Sequence, residues 1–178
     1  DAEAPFLAPT RQLISRTVRA GTPFLGICLG HQLATVALGG QVCTSDHFCL
    51  GAAEMHLTPE GKKDPLLSVY DGHRGIHFNN DVAVVLPEDA VLLARDPTGQ
   101  IEAVRFAERA WGVQFHPECT PEIFDAWTIG HGEKEWQQRL PWSEAVTVAE
   151  TVRRDIDTVN AEEAFAARFQ ELIDPEKR

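Results

Sequence analysis

The stretch PFLGICLGHQL, residues 23–33, decides the fold. It opens as a short apolar strand over residues 23–27, turns sharply at residues 28–30, and continues as a helix whose apolar residues recur at helical spacing until the glycine pair 39–40. A further helix is predicted upstream, over residues 10–20. The order helix, strand, tight turn, helix is typical of an α/β layer fold.

The rest of the chain continues this alternation. We predict short strands over residues 52–57, 90–94, 101–106 and 111–115, a hairpin at 107–110, a helix that begins at Thr120-Pro121 and ends at Gly130-His131-Gly132, and a longer helical stretch over 143–173. The apolar stripe of that last stretch predicts packing on the flank of the domain. We therefore assign residues 1–128 to one domain and 129–178 to a C-terminal helical extension packed on it.

The composition fits one globular domain and excludes several partners. The 178 residues are 43% hydrophobic and 24% charged, enough apolar chain to bury a core. A formal net charge of −11 repels nucleic acid and anionic membrane surfaces, and no apolar run approaches the roughly 20 residues that span a bilayer. The four cysteines are too few for a disulfide scaffold, so we expect reduced thiols in a cytoplasmic protein.

The first candidate for chemistry is Cys28, on the turn between the predicted strand and helix. Gly26 and Gly30 flank it two residues to either side, the pattern of a nucleophile elbow whose tight backbone excludes a Cβ. The helix that follows would aim its N-terminal N–H groups at the sulfur and favour the thiolate. A buried structural cysteine in a glycine-rich turn is the alternative.

The second candidate is His116, which follows the last predicted strand in the sequence Phe115-His116-Pro117-Glu118. A thiolate nucleophile needs a base that can later protonate the leaving amine, and imidazole suits both tasks near neutral pH. Glu118 lies two residues on and could orient the ring. Cys28 and His116 are far apart in sequence, but both follow predicted strands, whose carboxyl ends form the ligand crevice of open α/β sheets.

Several motifs together resemble the class I (triad-type) glutamine amidotransferase domain. They are residues 23–33, ALGG (37–40), LTPEG (57–61), DPLL (64–67), LP (86–87) and GVQFHPE (112–118). The likeness covers roughly residues 1–127 and is nearest to stand-alone bacterial members similar to the amidotransferase domain of GMP synthase. It implies a three-layer, flavodoxin-like fold with an open, mostly parallel sheet flanked by helices.

The resemblance also implies a reaction. Cys28 would attack the side-chain amide of L-glutamine and form a γ-glutamyl thioester, His116 would protonate the departing ammonia and then activate water, and Glu118 would orient His116. The backbone N–H of Leu29 would bind the oxyanion, and Gln32 would help to hold the substrate. No cofactor and no metal are implied.

Two regions depart from the pattern of that family. Its members open with strands and a glycine-rich loop that supplies a second oxyanion N–H, whereas residues 1–20 predict one helix and no strand. The only methionine is Met55, so residue 1 is not expected to be a translation start. Because a parallel sheet without those strands would expose a long edge, we expect about 40 to 60 further N-terminal residues, without which activity would be crippled. Asn79 and Asn80 stand where many relatives carry a histidine motif near the substrate, so both are binding candidates, with a plain loop as the alternative.

Two further groups of residues receive structural interpretations. Cys43 and Cys49, with His47 and His56 nearby, have a spacing that fits no common zinc motif, so no metal site is predicted there. His31 follows the elbow and is expected to be structural.

Three functions remain open at this point. The first is a glutamine-hydrolysing amidotransferase that passes ammonia to an acceptor held by a synthase subunit or domain. The second is a γ-glutamyl hydrolase or peptidase with the same Cys28-His116-Glu118 triad. The third is a catalytically inactive binding or regulatory subunit. The acceptor and the oligomeric state are not readable from the sequence.

Overall fold

The computed structural model describes residues 4–128, 141–155 and 161–174. Its helices are α1 (Leu7–Arg19), α2 (Leu29–Ala37), α3 (Pro121–Thr128), α4 (Trp142–Asp155) and α5 (Glu162–Ile173). Its strands are β1 (Phe24–Ile27), β2 (Gln41–Glu54), β3 (His56–Leu57), β4 (Arg74–Val85), β5 (Val91–Arg95), β6 (Ile101–Ala107) and β7 (Ala110–Val113). Two 3-10 turns, Gly61–Lys63 and Leu67–Tyr70, lie between β3 and β4.

The central sheet has five strands in the order β1-β7-β6-β5-β3. The α/β class, with helices beside an open sheet, is confirmed. The prediction of a mostly parallel sheet is corrected for the described residues, because only the β1–β7 pair is parallel and the other three pairs are antiparallel. The connections from β5 to β6 and from β6 to β7 are too short for a crossover, so these neighbours run antiparallel, and the predicted hairpin is confirmed.

Apolar side chains leave the sheet alternately toward its two faces and build a core on each. On β7, Ala110 joins a cluster with Ile14 and Val18 of α1 and residues of α2. Trp111, next along the same strand, joins a cluster that includes Phe165 of α5 and the second 3-10 turn. Because successive strand residues point to opposite faces, helices cover both sides, and the three-layer arrangement follows.

A second sheet pairs β2 with β4 in antiparallel register over most of their length. The loop considered as the alternative for Asn79 and Asn80 is wrong, since both residues belong to β4. Gly, Asn and Asp are depleted in strands, but the long partner strand β2 supplies backbone hydrogen bonds to β4. The strand predicted over 52–57 is divided between β2 and β3.

The long C-terminal helix predicted over 143–173 contains two helices, α4 and α5. Val152 of α4 packs with Phe124 of α3 and Ile76 of β4, whereas Phe165 of α5 packs with Tyr70 and Phe115. The apolar stripe therefore serves two separate cores. Residues 130–132 and 156–160 lie outside the described part, and the division at residue 128 into domain and extension stays a prediction. No helix among the described residues is long and apolar enough to cross a membrane.

Candidate active site

Cys28 lies on a strained turn between β1 and α2. With φ +47° and ψ −104°, it is the only non-glycine residue in the described ranges with a positive φ, a conformation that typically costs about 1–3 kcal/mol. A Cβ on Gly26 would lie 2.6 Å from the backbone carbon of Gly30 and 2.8 Å from the nitrogen of His31. Glycine at 26 is therefore required for the turn to close.

The other glycine of the predicted elbow behaves differently. A Cβ on Gly30 would meet nothing within 4 Å, so the expectation that both flanking glycines are required for steric reasons is corrected. The backbone of Gly30 lies against Gly26, but its own missing side chain would point into open space. Only one side of the elbow is sterically restricted by the described residues.

The sheet hydrogen bonds continue beyond β1 and bring Cys28 to β7. The Cys28 N–H donates to the carbonyl oxygen of Val113 at 2.8 Å, which places the thiol beside the segment that leads to His116. Leu29 begins α2 and is 47% exposed. The N–H groups of the first helical turn have no acceptor within their helix, so the Leu29 N–H is available at the position predicted for an oxyanion donor.

His116 is held by its backbone, by a carboxylate and by an aromatic ring. Its N–H donates to the Ile76 carbonyl oxygen at 2.8 Å, and its Nδ1 lies 2.7 Å from Oε1 of Glu118. The ring packs against Trp127 of α3 with 4.5 Å between the ring centroids. Since the carboxylate accepts from Nδ1, Nε2 is the nitrogen left for a further partner, and the interactions that raise the pKa of His116 include those with the Cys28 side chain.

The electrostatics of this trio favour an imidazolium. Burial by itself lowers the pKa of His116, but hydrogen bonds and charge interactions with Cys28 and Glu118 outweigh it and raise the pKa to about 9. For Glu118, burial acts to raise the pKa, and the hydrogen bond to His116 nevertheless holds it below its usual value. These shifts favour a positively charged His116 ring beside an anionic Glu118 near neutral pH.

The predicted substrate-binding residues lie on two elements. Gln32 of α2 is buried, and its Nε2 donates to the Asp81 carbonyl oxygen at 2.8 Å and to Oε1 of Gln114 at 3.2 Å. Asn79 is also buried and donates to the same Asp81 carbonyl at 3.2 Å. Asn80 is exposed on β4. Their contact with substrate stays a prediction, and since an amide nitrogen has two hydrogens, Gln32 has only Oε1 left for it.

Two neighbours of the site were not predicted from the sequence. Gln114 is completely buried, and its Nε2 lies 3.5 Å from Sγ of Cys28. Trp127 covers one side of the His116 ring. For Gln114, the available sequence signal was an amide side chain two residues before His116. For Trp127 no local signal existed, because the contact depends on how α3 packs.

The remaining polar candidates stay outside the trio. His31 is fully buried, and burial lowers its pKa to about 4, in keeping with the structural interpretation. Cys43 is exposed and Cys49 partly buried, both as free thiols on β2. Within residues 4–128, 141–155 and 161–174, no group of three or more His, Cys, Asp or Glu side chains could hold a metal ion.

Comparison with known proteins identifies relatives for most of the chain. A family model described as glutamine amidotransferase class-I matches residues 4–130. The putative glutamine amidotransferase-like protein YfeJ of Salmonella typhimurium is 32% identical over 126 residues, which cover 70% of this chain and 52% of that protein. A glutamine-hydrolyzing GMP synthase subunit of Methanothermobacter thermautotrophicus is 34% identical over 101 residues, or 54% of this chain and 51% of the relative. The chain thus spans about half the length of these relatives.

Solved structures share the fold over nearly the whole chain. A glutamine amidotransferase from Thermotoga maritima superposes with a TM-score of 0.79 at 20% identity, covering 97% of this chain and 72% of its own. One from Methylobacillus flagellatus gives a TM-score of 0.77 at 23% identity, with 96% and 71% covered. At these identities the likeness shows the fold alone.

Proposed function

Because the chain belongs to the class-I glutamine amidotransferase family, we propose that it hydrolyses the side-chain amide of L-glutamine through a thioester on Cys28 and delivers the ammonia to an acceptor. The observation that supports this proposal is the grouping of Cys28, His116 and Glu118 beyond the ends of β1 and β7, where Glu118 lies 2.7 Å from His116 Nδ1 and the Cys28 side chain is among the groups that raise the pKa of His116. A strained, partly accessible thiol beside an imidazolium is the usual form of a cysteine nucleophile.

In the first half of the reaction, Sγ of Cys28 attacks the amide carbon of glutamine as a thiolate. The carbonyl oxygen takes up the negative charge next to the Leu29 N–H at the start of α2. When the tetrahedral intermediate collapses, the C–N bond breaks and His116 gives its Nε2 proton to the nitrogen, which leaves as ammonia. The product of this half is the γ-glutamyl thioester.

In the second half, neutral His116 accepts a proton from water as the oxygen attacks the thioester carbon. The C–S bond breaks, glutamate leaves, and the sulfur and imidazolium return to their starting charges. Glu118 keeps Nδ1 occupied throughout, so that Nε2 always faces the reacting atoms. His116 thus serves as acid in one half and base in the other.

The ammonia acceptor is proposed to lie on a separate synthase subunit or domain. Relatives named as one subunit of a glutamine-hydrolyzing GMP synthase support a partner of this kind, and acceptor selectivity belongs to that partner. A cytoplasmic setting is part of the proposal, supported by four cysteines that are free thiols.

The test measures ammonia released from L-glutamine by the full-length protein and by Cys28→Ala. We expect the substitution to lower the rate at least about a hundredfold, since the covalent intermediate can no longer form. Cys43→Ala is the matched control, because Cys43 is an exposed thiol on β2, and it should retain the wild-type rate. Equal rates for wild type and Cys28→Ala would reject the mechanism.

The same assay separates the alternative activities. Cleavage of γ-glutamyl peptides much faster than of glutamine would identify a γ-glutamyl hydrolase that uses the same Cys28-His116-Glu118 trio. Glutamine binding without turnover of either substrate would identify an inactive binding or regulatory protein. Either outcome replaces the amidotransferase proposal.

A further inference from the structure

A chain of side-chain amides leads from a backbone carbonyl on β4 to the sulfur of Cys28. Gln32 donates from Nε2 to the Asp81 carbonyl oxygen at 2.8 Å and to Oε1 of Gln114 at 3.2 Å. Gln114 in turn points its own Nε2 at Sγ of Cys28, 3.5 Å away. Both glutamines are buried, Gln114 completely.

The order of donors and acceptors in this chain is determined from its fixed end. A backbone carbonyl oxygen only accepts, so the Gln32 group that faces Asp81 must be the NH2 group. The same NH2 group then faces Gln114, which must present its oxygen. The other half of the Gln114 amide, its NH2 group, is therefore the one that faces sulfur, and a flipped amide would place two donors or two acceptors in contact.

The carbonyl that anchors the chain is itself held in place. Asp81 belongs to β4, where it pairs with Thr44 of β2, and its carbonyl oxygen also accepts from Nδ2 of Asn79 at 3.2 Å. The Gln114 backbone is anchored separately, because its N–H donates to the Glu102 carbonyl oxygen at 2.8 Å. A buried and fully anchored amide keeps its direction without losing side-chain entropy during a reaction cycle.

We propose that Gln114 is a positioning residue that donates a hydrogen bond to the Cys28 thiolate, and that Gln32 holds it in the donating orientation. An N–H aimed at sulfur stabilises the anion and not the neutral thiol, so it raises the thiolate fraction. The inference rests on the proposed function only in taking Cys28 as the attacking group.

The experiment follows alkylation of Cys28 by iodoacetamide from about pH 5 to about pH 10, because the thiolate is the form that reacts. Peptide mass spectrometry reads each cysteine separately. In Gln114→Met the side chain keeps its length and loses the donor, and we expect the pH of half-maximal Cys28 alkylation to rise by about one unit, a tenfold lower thiolate fraction below the midpoint. Gln32→Met should shift it in the same direction by less.

A second glutamine provides the matched control. Gln100 contacts the sulfur of Cys49 through its side-chain amide at 3.6–3.7 Å, so Gln100→Met removes the same kind of contact from another thiol and should leave the Cys28 profile unchanged. Exposed Cys43 is the internal reference for reagent activity. Buried Cys119 reports unfolding, because it becomes alkylated when the fold is lost.

A second variant covers the case in which Gln114→Met fails to fold. Gln114→Glu has the same shape, still accepts from Gln32, and presents a carboxylate oxygen to sulfur, so the midpoint should rise by more than one unit. Profiles of Gln114→Met and Gln114→Glu that superimpose on wild type would overturn the proposal. If the pH profile of Cys28 alkylation shifts in the variants but the wild-type protein releases no ammonia, the amide chain is supported and the proposed function is rejected. The failure of the inference and the failure of the proposed function are therefore distinguishable.

Discussion

Among the described residues, two histidine–glutamate pairs have nearly the same distance between ring nitrogen and carboxylate oxygen and differ in their surroundings. Nδ1 of His116 lies 2.7 Å from Oε1 of Glu118, and Nε2 of His77 lies 2.6 Å from Oε2 of Glu102. The Phe115 ring packs against His77 with 6.5 Å between ring centroids, and Phe115 directly precedes His116 in the chain. An imidazole–carboxylate pair is therefore not by itself a sign of a reactive site.

The two pairs differ in the partner of the ring nitrogen that does not bind the glutamate. In His77 the second nitrogen, Nδ1, bonds the Gly75 carbonyl oxygen at 3.0 Å, so neither nitrogen remains for a reacting group. In His116 the second nitrogen, Nε2, is not used by Glu118, and the Cys28 side chain interacts with the ring. Access differs too, because the His77 and Glu102 side chains are 5% and 2% exposed, whereas those of His116 and Glu118 are 12% and 44% exposed. We therefore assign a structural role to the buried pair, and the proposed catalytic role falls to the more accessible pair.

The largest effect is expected when the imidazole ring of His116 is removed. His116→Ala should lower kcat for glutamine hydrolysis by about a thousandfold, within the range of acid–base contributions, while the free energy of unfolding falls by about 1 kcal/mol. Ammonia release and urea denaturation measure the two quantities.

Glu118→Ala should lower kcat less, since the ring keeps its proton and loses only its orientation. A larger loss in Glu118→Ala than in His116→Ala would exchange the assigned roles.

The second prediction concerns the buried pair. His77→Leu leaves the Glu102 carboxylate buried without its partner, and breaking such a pair costs about 3–5 kcal/mol of unfolding free energy. His56→Leu is the matched control, because His56 lies 3.7 Å from Glu54 in a pair whose side chains are 59% and 70% exposed. Its cost should stay below about 1 kcal/mol. Equal costs in the two variants would remove the structural distinction between the pairs.

The positions of Cys28, His116 and Glu118 in the candidate active site could be predicted from the sequence, because the patterns that mark them are local. The glycine before Cys28, the strand before it and the helix after it lie within a dozen residues, and His116 and Glu118 are separated by one proline. The glycine meets a requirement of the backbone at the turn, and His116 and Glu118 meet a requirement of proton transfer. In both cases the residues involved are neighbours in the chain. The class of fold followed from the same segment.

The buried pair and the amide chain could not be predicted, because they depend on distant strands. His77 and Glu102 meet only after β4 and β6 are placed. The alternative of a loop at Asn79 and Asn80 is excluded only by the pairing of β4 with β2. Gln114 stood inside a motif, but its direction depends on a carbonyl of β4. A charged residue inside an apolar strand, as at Glu102, is the signal that a buried partner exists, and it does not say which one.

The smallest expected effect is a change in the titration of His116 when its sulfur neighbour is removed. Two of the interactions that raise the pKa of His116 from 6.5 to about 9 come from Cys28, and burial opposes them. In Cys28→Ala only the Glu118 interactions remain, so the His116 pKa should fall toward its ordinary value, while that of His77, which Glu102 raises against burial, should not move. Proton NMR of the ring Cε1–H signals measures both.

The sign of the matching stability effect follows from the direction of the shift. Since the folded-state pKa of His116 lies above the unfolded value of 6.5, its contribution to stability is complete below about pH 6.5 and is lost as the pH rises through about 9. The unfolding free energy of wild type should therefore decline over this interval by about 1 kcal/mol, the scale of a partly exposed pair. In Cys28→Ala the decline should be smaller and complete at lower pH, because the ring loses its proton earlier. An identical decline in both proteins would mean that thiol and ring do not interact, and the distinction between the two histidine–glutamate pairs would then rest on solvent access alone.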